Sequence, residues 1–143
     1  MNIFPYSRQI ISSADIKTVS RVLRSDFITQ GPEVKKFEKK ICQTIQSKYS
    51  VAVNSATSAL HIACMALDFK KNDILWTVPN TFVASANCAL HLGGKVDFVD
   101  IDYKTGNIDV ELLEKKLIKS KRNKKLPKIL IPVHFAGLPT EQD

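Results

Sequence analysis

Glycine is scarce in this chain: five residues of 143, at Gly31, Gly93, Gly94, Gly106 and Gly137. None follows the first candidate strand, and neither G-x-x-x-x-G-K-[ST] nor G-x-G-x-x-G occurs anywhere. That excludes a P-loop and argues against a Rossmann-type dinucleotide site, because both need glycine where backbone approaches phosphate. Cysteine is equally sparse. Cys42, Cys64 and Cys88 are an odd number at wide spacing, with no C-x-x-C pair. This excludes a disulfide framework and supplies no metal-ligand cluster, so no metal is expected. Buried free thiols in a reducing, cytoplasmic setting are the expected state. No apolar run approaches the ~20 residues needed to cross a bilayer, so no membrane association is expected. The first residues, Met1-Asn2-Ile3-Phe4-Pro5, lack the basic and apolar regions of a secretory signal.

What is present describes a globular protein. The hydrophobic fraction is 44% and the charged fraction 24%, and the length suits one compact domain. The formal charge of +7 is local in origin. Lys115, Lys116, Lys119, Lys121, Arg122, Lys124, Lys125 and Lys128 lie together with no acid among them. The other residues carry 13 basic groups against 14 acidic ones. The run has no interleaved aromatics and matches no nucleic-acid motif, so no nucleic-acid partner is expected. A solvated helix end and loop is the expected reading, with an anion-binding patch as the alternative.

Hydrophobic spacing alternates between helix and strand. Ser12 or Ser13 can cap a helix with apolar positions Ile16, Val19, Val22 and Leu23. A loop through Phe27-Ile28-Thr29-Gln30-Gly31 follows, and Pro32 suits the first turn of the next helix. Candidate strands are residues 51–53, 74–78, 96–101 and 129–133, rich in Val and Ile. Helical segments are expected between them over residues 58–67, 83–92 and 110–119. This order predicts an α/β fold with a mainly parallel sheet and helices on both faces. A further helix is expected to begin near Asp143, so the sheet is expected to be incomplete at that end.

In open α/β sheets ligands sit beyond the carboxyl ends of the strands. After the first candidate strand come Asn54-Ser55-Ala56-Thr57-Ser58. Small hydroxylated residues at a helix start leave backbone N–H groups free, and the helix dipole favours an anion such as phosphate there. Plain N-capping is the competing explanation. After the second strand, Phe82 opens a helix and can stack on a flat heteroaromatic ring or simply fill core. After the third, Asp100 and Asp102 alternate about Ile101 and form either a catalytic carboxylate pair or a solvated strand end. After the fourth, His134 precedes Phe135-Ala136-Gly137, with a structural hydrogen-bonding role equally open.

Taken in order, these segments resemble one family. Tyr6-Ser7-Arg8-Gln9, Thr29-Gln30-Gly31-Pro32, the run from Asn54 to His61 and Phe82-Val83-Ala84-Ser85-Ala86-Asn87 all carry the resemblance. So do Phe98-Val99-Asp100-Ile101-Asp102, Asn107-Ile108-Asp109 and Pro132-Val133-His134-Phe135-Ala136-Gly137. The chain is similar to the DegT-type aminotransferases, which use pyridoxal phosphate to aminate keto-sugars attached to nucleotides. The resemblance implies the large domain of fold-type I pyridoxal-phosphate enzymes. Residues 1–143 would be its N-terminal part, the rest of that domain and a small C-terminal domain being absent. It implies that Ala56 and Thr57 meet the cofactor phosphate and that Phe82 stacks on its ring. Tyr6, Asp26, Phe27, Ile28, Thr29 and Ala56 would meet the sugar nucleotide. The lysine that would hold the cofactor is expected beyond Asp143, so no residue of this chain is expected to be catalytic.

The finer likeness is to members that aminate C4 of a UDP-linked 4-keto-6-deoxy amino sugar, with glutamate as donor and a homodimer as the full-length assembly. Another keto-sugar, or a dehydratase in which histidine replaces the lysine, is the nearest alternative. A small flavodoxin-like binding domain and a non-catalytic partner subunit are more distant ones.

Overall fold

The alternation of helix and strand holds in the computed structural model, which describes Pro5 and residues 7–142. They form two compact units, Met1–Ala52 and Val53–Asp143.

The first unit is a pair of helices. Helix α1 spans Ser13–Leu23, and Ser12 starts it with a capping box. The Ser12 hydroxyl accepts the Asp15 N–H at 3.2 Å, and the Asp15 carboxylate accepts the Ser12 N–H at 2.7 Å. That backbone bond from Ser12 leads the influences holding the Asp15 carboxyl below its ordinary range. Helix α2 spans Pro32–Ile45, with proline in its first turn as expected. Arg21 Nη1 reaches Glu33 Oε1 at 3.1 Å, and Lys36 reaches the same oxygen at 2.8 Å. Neither helix contains a buried residue.

The second unit holds the sheet. Strand β1 spans Ile74–Thr77, β2 Lys95–Phe98 and β3 Ile129–Leu130. The order is β2-β1-β3 and both pairings are parallel. Helices α3 (Ala56–Ala66), α4 (Ala84–Leu90) and α5 (Val110–Arg122) connect and flank them. Side chains alternate across β1. Leu75 packs with Cys64 of α3, Cys88 and Ala89 of α4, and Ile129. Trp76 packs with Val78, Val99 and Ile108, against Leu113 and Leu117 of α5. Helices therefore cover both faces, as the α/β reading expected.

Three boundaries differ from expectation. Residues 51–53 form no strand. A strand exists only through ladder bonds, and the described residues pair none of the three strands with that segment. The third run stops at Phe98, and Ile101 makes only an isolated antiparallel bridge to Ile108. The fourth is two residues long. Pro132 follows soon after and has no N–H to donate.

Most of the basic run is exposed, as the reading of a solvated helix end and loop expected, and two of its members, Lys116 and Lys128, are built into the structure. The Lys116 ammonium lies 4.6 Å from the Trp76 ring centroid and 2.7 Å from Asp97 Oδ2, and also donates to the Phe98 carbonyl. Lys128 pairs with Asp73 at 3.1 Å and donates to the Asp68 carbonyl. Lys119, Lys121 and Arg122 occupy the last turn of α5, where cations complement the helix dipole. The same carbonyl end disfavours an anion, which weighs against the anion-patch alternative.

All three thiols are free and lie on helices; Cys64 and Cys88 are buried as expected, whereas Cys42 is only half-buried. Burial, then the hydrogen bond with Cys88, pushes the Cys64 thiol up to about 12. Only the thiolate reacts with alkylating agents. In native protein at mildly alkaline pH, Cys42 should therefore label first, with Cys64 and Cys88 labelling only on unfolding. Mass spectrometry with and without denaturant checks this; rapid native labelling of Cys64 would contradict the packing described.

Candidate functional site

The start of α3 has free donors. Ser55 is the N-cap, and its hydroxyl accepts the Ser58 N–H at 3.2 Å. The Ser58 hydroxyl in turn donates to Asn54 Oδ1 at 2.8 Å. Ser55 and Ser58 are thus engaged in capping, as the competing explanation expected of them, and their hydroxyls are occupied. The N–H groups of Ala56 and Thr57, and the Thr57 hydroxyl, have no hydrogen-bond partner among the described residues. Both residues are exposed. The first two N–H groups of a helix, aligned with its dipole and beside a free hydroxyl, suit a phosphate. A concavity of about 390 Å³ runs from Thr57 along α3, lined by Ser58, His61, Ile62, Cys88 and His91.

Phe82 is 75% exposed, which removes the core-filling alternative. It does not line that concavity. It sits on the turn from β1 into α4, where its carbonyl accepts the Ser85 N–H at 3.1 Å and the Thr81 and Ser85 hydroxyls meet at 2.9 Å.

The carboxylate pair is not a catalytic pair. Asp102 Oδ1 accepts the N–H groups of Lys104 and Thr105, both at 2.9 Å, and the Thr105 hydroxyl at 3.1 Å. The Thr105 N–H leads the influences holding this carboxyl below its usual range. The side chain is therefore spent on a turn. Asp100 accepts the N–H of its own neighbour Ile101 at 2.8 Å and is exposed. His134 has the structural role: Nδ1 accepts the Thr140 N–H at 3.0 Å.

Sequence reasoning missed two asparagines. Asn107 is only 6% exposed. Its Oδ1 accepts the Phe135 N–H at 2.9 Å, and its Nδ2 donates to the carbonyls of Leu138 and Pro139, each at 3.1 Å. Asn80 Nδ2 donates to the Gly106 carbonyl at 2.9 Å. Together they tie the loops beyond β1, β2 and β3 to one another. The pattern Asp102-x-x-Thr105-Gly106 is a turn signal that could have been recognised; no local signal marks either asparagine.

Asp26, Phe27, Ile28 and Thr29 belong to the first unit and form the link between α1 and α2. Phe27 and Ile28 expose most of their surface there. Gly31 approaches so closely that an added Cβ would lie 2.8 Å from Phe27 Cβ. Tyr6 lies outside the described residues. No group of three or more potential metal ligands occurs among the described residues.

An α/β unit with unpaired N–H groups at the start of α3 and an exposed aromatic on the loop after β1 defines the class, and comparison with known proteins identifies it. Residues 9–143 match the DegT/DnrJ/EryC1/StrS aminotransferase family. The chain belongs to that family. It is 42% identical to the UDP-4-amino-4,6-dideoxy-N-acetyl-beta-L-altrosamine transaminase of Campylobacter jejuni, over 96% of this chain and 35% of the relative. Among solved structures it resembles Helicobacter pylori PseC, an aminotransferase involved in pseudoaminic acid biosynthesis. The TM-score is 0.82 and the identity 33%, over 96% of this chain and 36% of that one. It also resembles GDP-4-keto-6-deoxymannose-3-dehydratase with a trapped PLP-glutamate geminal diamine, with TM-score 0.74 and 31% identity. That match covers 79% of this chain and 31% of the other. The chain thus spans about a third of the length of these relatives. Family membership displaces the flavodoxin-like alternative.

Proposed function

We propose that this chain holds the cofactor phosphate and one face of the cofactor ring in a pyridoxal-phosphate-dependent sugar-nucleotide aminotransferase. The observation that carries this is the start of α3, where two unpaired N–H groups and the Thr57 hydroxyl stand free. The residues present fit the cofactor: an anion site at Ala56 and Thr57, and a bare aromatic face at Phe82. When bound, pyridoxal phosphate supplies the carbonyl and electron-withdrawing ring through which an amino group passes from donor to acceptor. The chain's own task is to bind and orient. Ala56 and Thr57 anchor the anionic end, and Phe82 sets the plane of the ring.

Residues 1–143 are in this reading the first part of a cofactor-binding large domain. The full-length enzyme is a cytoplasmic homodimer with a small second domain. Its substrate is a UDP-linked 4-keto-6-deoxy amino sugar of pseudaminic acid biosynthesis, and glutamate is the amino donor. The Campylobacter and Helicobacter relatives support this choice. Tyr6, Asp26, Phe27, Ile28, Thr29 and Ala56 contact that sugar nucleotide, and no lysine of this chain is assigned a covalent role. The similarity to a dehydratase favours a second reading, removal of a hydroxyl from a nucleotide-linked keto-sugar. Incubation of the full-length enzyme with substrate and glutamate separates them by the sugar product: one yields an amino sugar, the other a deoxy-keto sugar.

Pyridoxamine 5′-phosphate tests the site directly, because it needs no lysine linkage. Thr57→Ala should weaken its binding by roughly 10- to 100-fold, the loss of one charge-assisted hydrogen bond. Phe82→Ala should weaken it through lost stacking, and Phe82→Trp should preserve it. Melting temperatures of the free protein, taken on the same samples, separate binding from folding. Absence of binding by the unsubstituted protein, or unchanged affinity in both alanine variants, overturns the assignment.

A further inference from the structure

Phe82 presents an exposed ring with little packing of its own, so its position depends on the turn that carries it. One end of that turn is secured within α4 by the Ser85 N–H and the Thr81–Ser85 hydroxyl pair. The other end leaves β1 after the buried Val78, and beyond that residue Asn80 supplies the tie to a neighbouring loop. Among the described residues, no hydrogen bond other than Asn80 Nδ2 to Gly106 O joins residues 79–83 to the loop at 100–109.

The acceptor is a rigid one. Gly106 has φ +73°, its N–H donates to Asp102 O at 2.8 Å, and a Cβ at this position would meet Phe135 Cδ1 at 2.6 Å. The next residue is Asn107, whose side-chain amide is fully used. Asn80 therefore ties a turn to an anchored point.

The second observation concerns the other half of the Asn80 amide. Oδ1 is buried without a partner among the described residues. Flipping the amide would set this oxygen against the Gly106 carbonyl, so the orientation is determined by the bond. A buried unpaired acceptor costs about as much as one amide hydrogen bond returns. Stability therefore does not account for this residue.

We propose that Asn80 is a positioning residue that, through its bond to Gly106, holds the Phe82 ring where the cofactor must stack. This rests on the cofactor reading above, and the test distinguishes the two. Asn80→Ala should leave the melting temperature of the free protein within about 2 °C. It should weaken pyridoxamine 5′-phosphate binding roughly 3- to 30-fold. In a Phe82→Ala background the same change should cost less than about twofold, because the residue acts through the ring. A crystal structure of the free Asn80→Ala protein should show the Phe82 turn displaced or in several conformers. An unmoved Phe82 turn overturns the proposal, whatever the binding results. So do equal losses from Asn80→Ala with and without Phe82. A Phe82→Ala variant that binds as tightly as the parent rejects the stacking reading instead, while a displaced turn would still establish that Asn80 places Phe82.

Discussion

Asn107→Ala should destabilise the second unit by about 2–4 kcal/mol. The side chain is almost wholly buried, and it satisfies one N–H and two carbonyls of the segment leaving β3. Removing it leaves those three groups unpaired, each able to cost about 1–3 kcal/mol where water cannot replace the partner. Phe135 and Leu138 are partly exposed, so hydration recovers some of this and keeps the total below the sum. Asn107→Asp sharpens the test. The carboxylate retains the bond from the Phe135 N–H but faces the carbonyls of Leu138 and Pro139 with an acceptor where a donor was. Its folded-state pKa must rise above the unfolded value, since only the protonated acid can donate. The penalty relative to the parent should therefore grow as pH rises above about 4 and shrink as pH falls towards it. Denaturant unfolding followed by Trp76, the single tryptophan and 1% exposed, measures both variants. A loss below about 0.5 kcal/mol for Asn107→Ala would mean that the three bonds do not brace the sheet end.

The parallel sheet and its flanking helices were legible because each element carries its own periodicity. Ile74, Leu75 and Trp76 read as a buried strand whatever surrounds them, and Ser12 caps α1 through bonds made within one turn. Residues 51–53 have the same Val-rich look, yet pairing is a property of two segments and the apolar run describes only one. The site divides in the same way. The helix start after Asn54 was legible because capping follows from local sequence, whereas the roles of Ala56 and Thr57 there are what the family resemblance implies. Phe82 was legible as an aromatic after a strand, but whether it faced solvent or core depended on packing by other elements. Asn80, Asn107, Lys116 and Lys128 were not legible. Their partners Gly106, Phe135, Asp97 and Asp73 are remote in sequence, and nothing local distinguishes an asparagine that locks two loops from one that is solvated.

The purified chain should self-associate at micromolar concentration and bind a hydrophobic dye. In α1, Ile16, Val19 and Leu23 follow helical spacing and are each about 60% exposed or more. In α2, Phe37 and Ile45 are similarly exposed. Each helix thus has an apolar stripe, yet neither buries a single residue. An amphipathic helix gains most of its stability by burying that stripe, and short isolated helices are marginal in water. Contiguous apolar surface of this kind is uncommon on soluble monomers and drives association. Sedimentation velocity over a range of concentrations and dye fluorescence should therefore report the same transition. The triple variant Ile16→Gln, Val19→Gln and Leu23→Gln should weaken both signals. Glutamine keeps high helix propensity, so the change acts on the stripe rather than on the helix. A monodisperse monomer without dye binding would mean that these faces are covered in solution. A triple variant that associates like the parent would place the adhesive surface elsewhere than on α1.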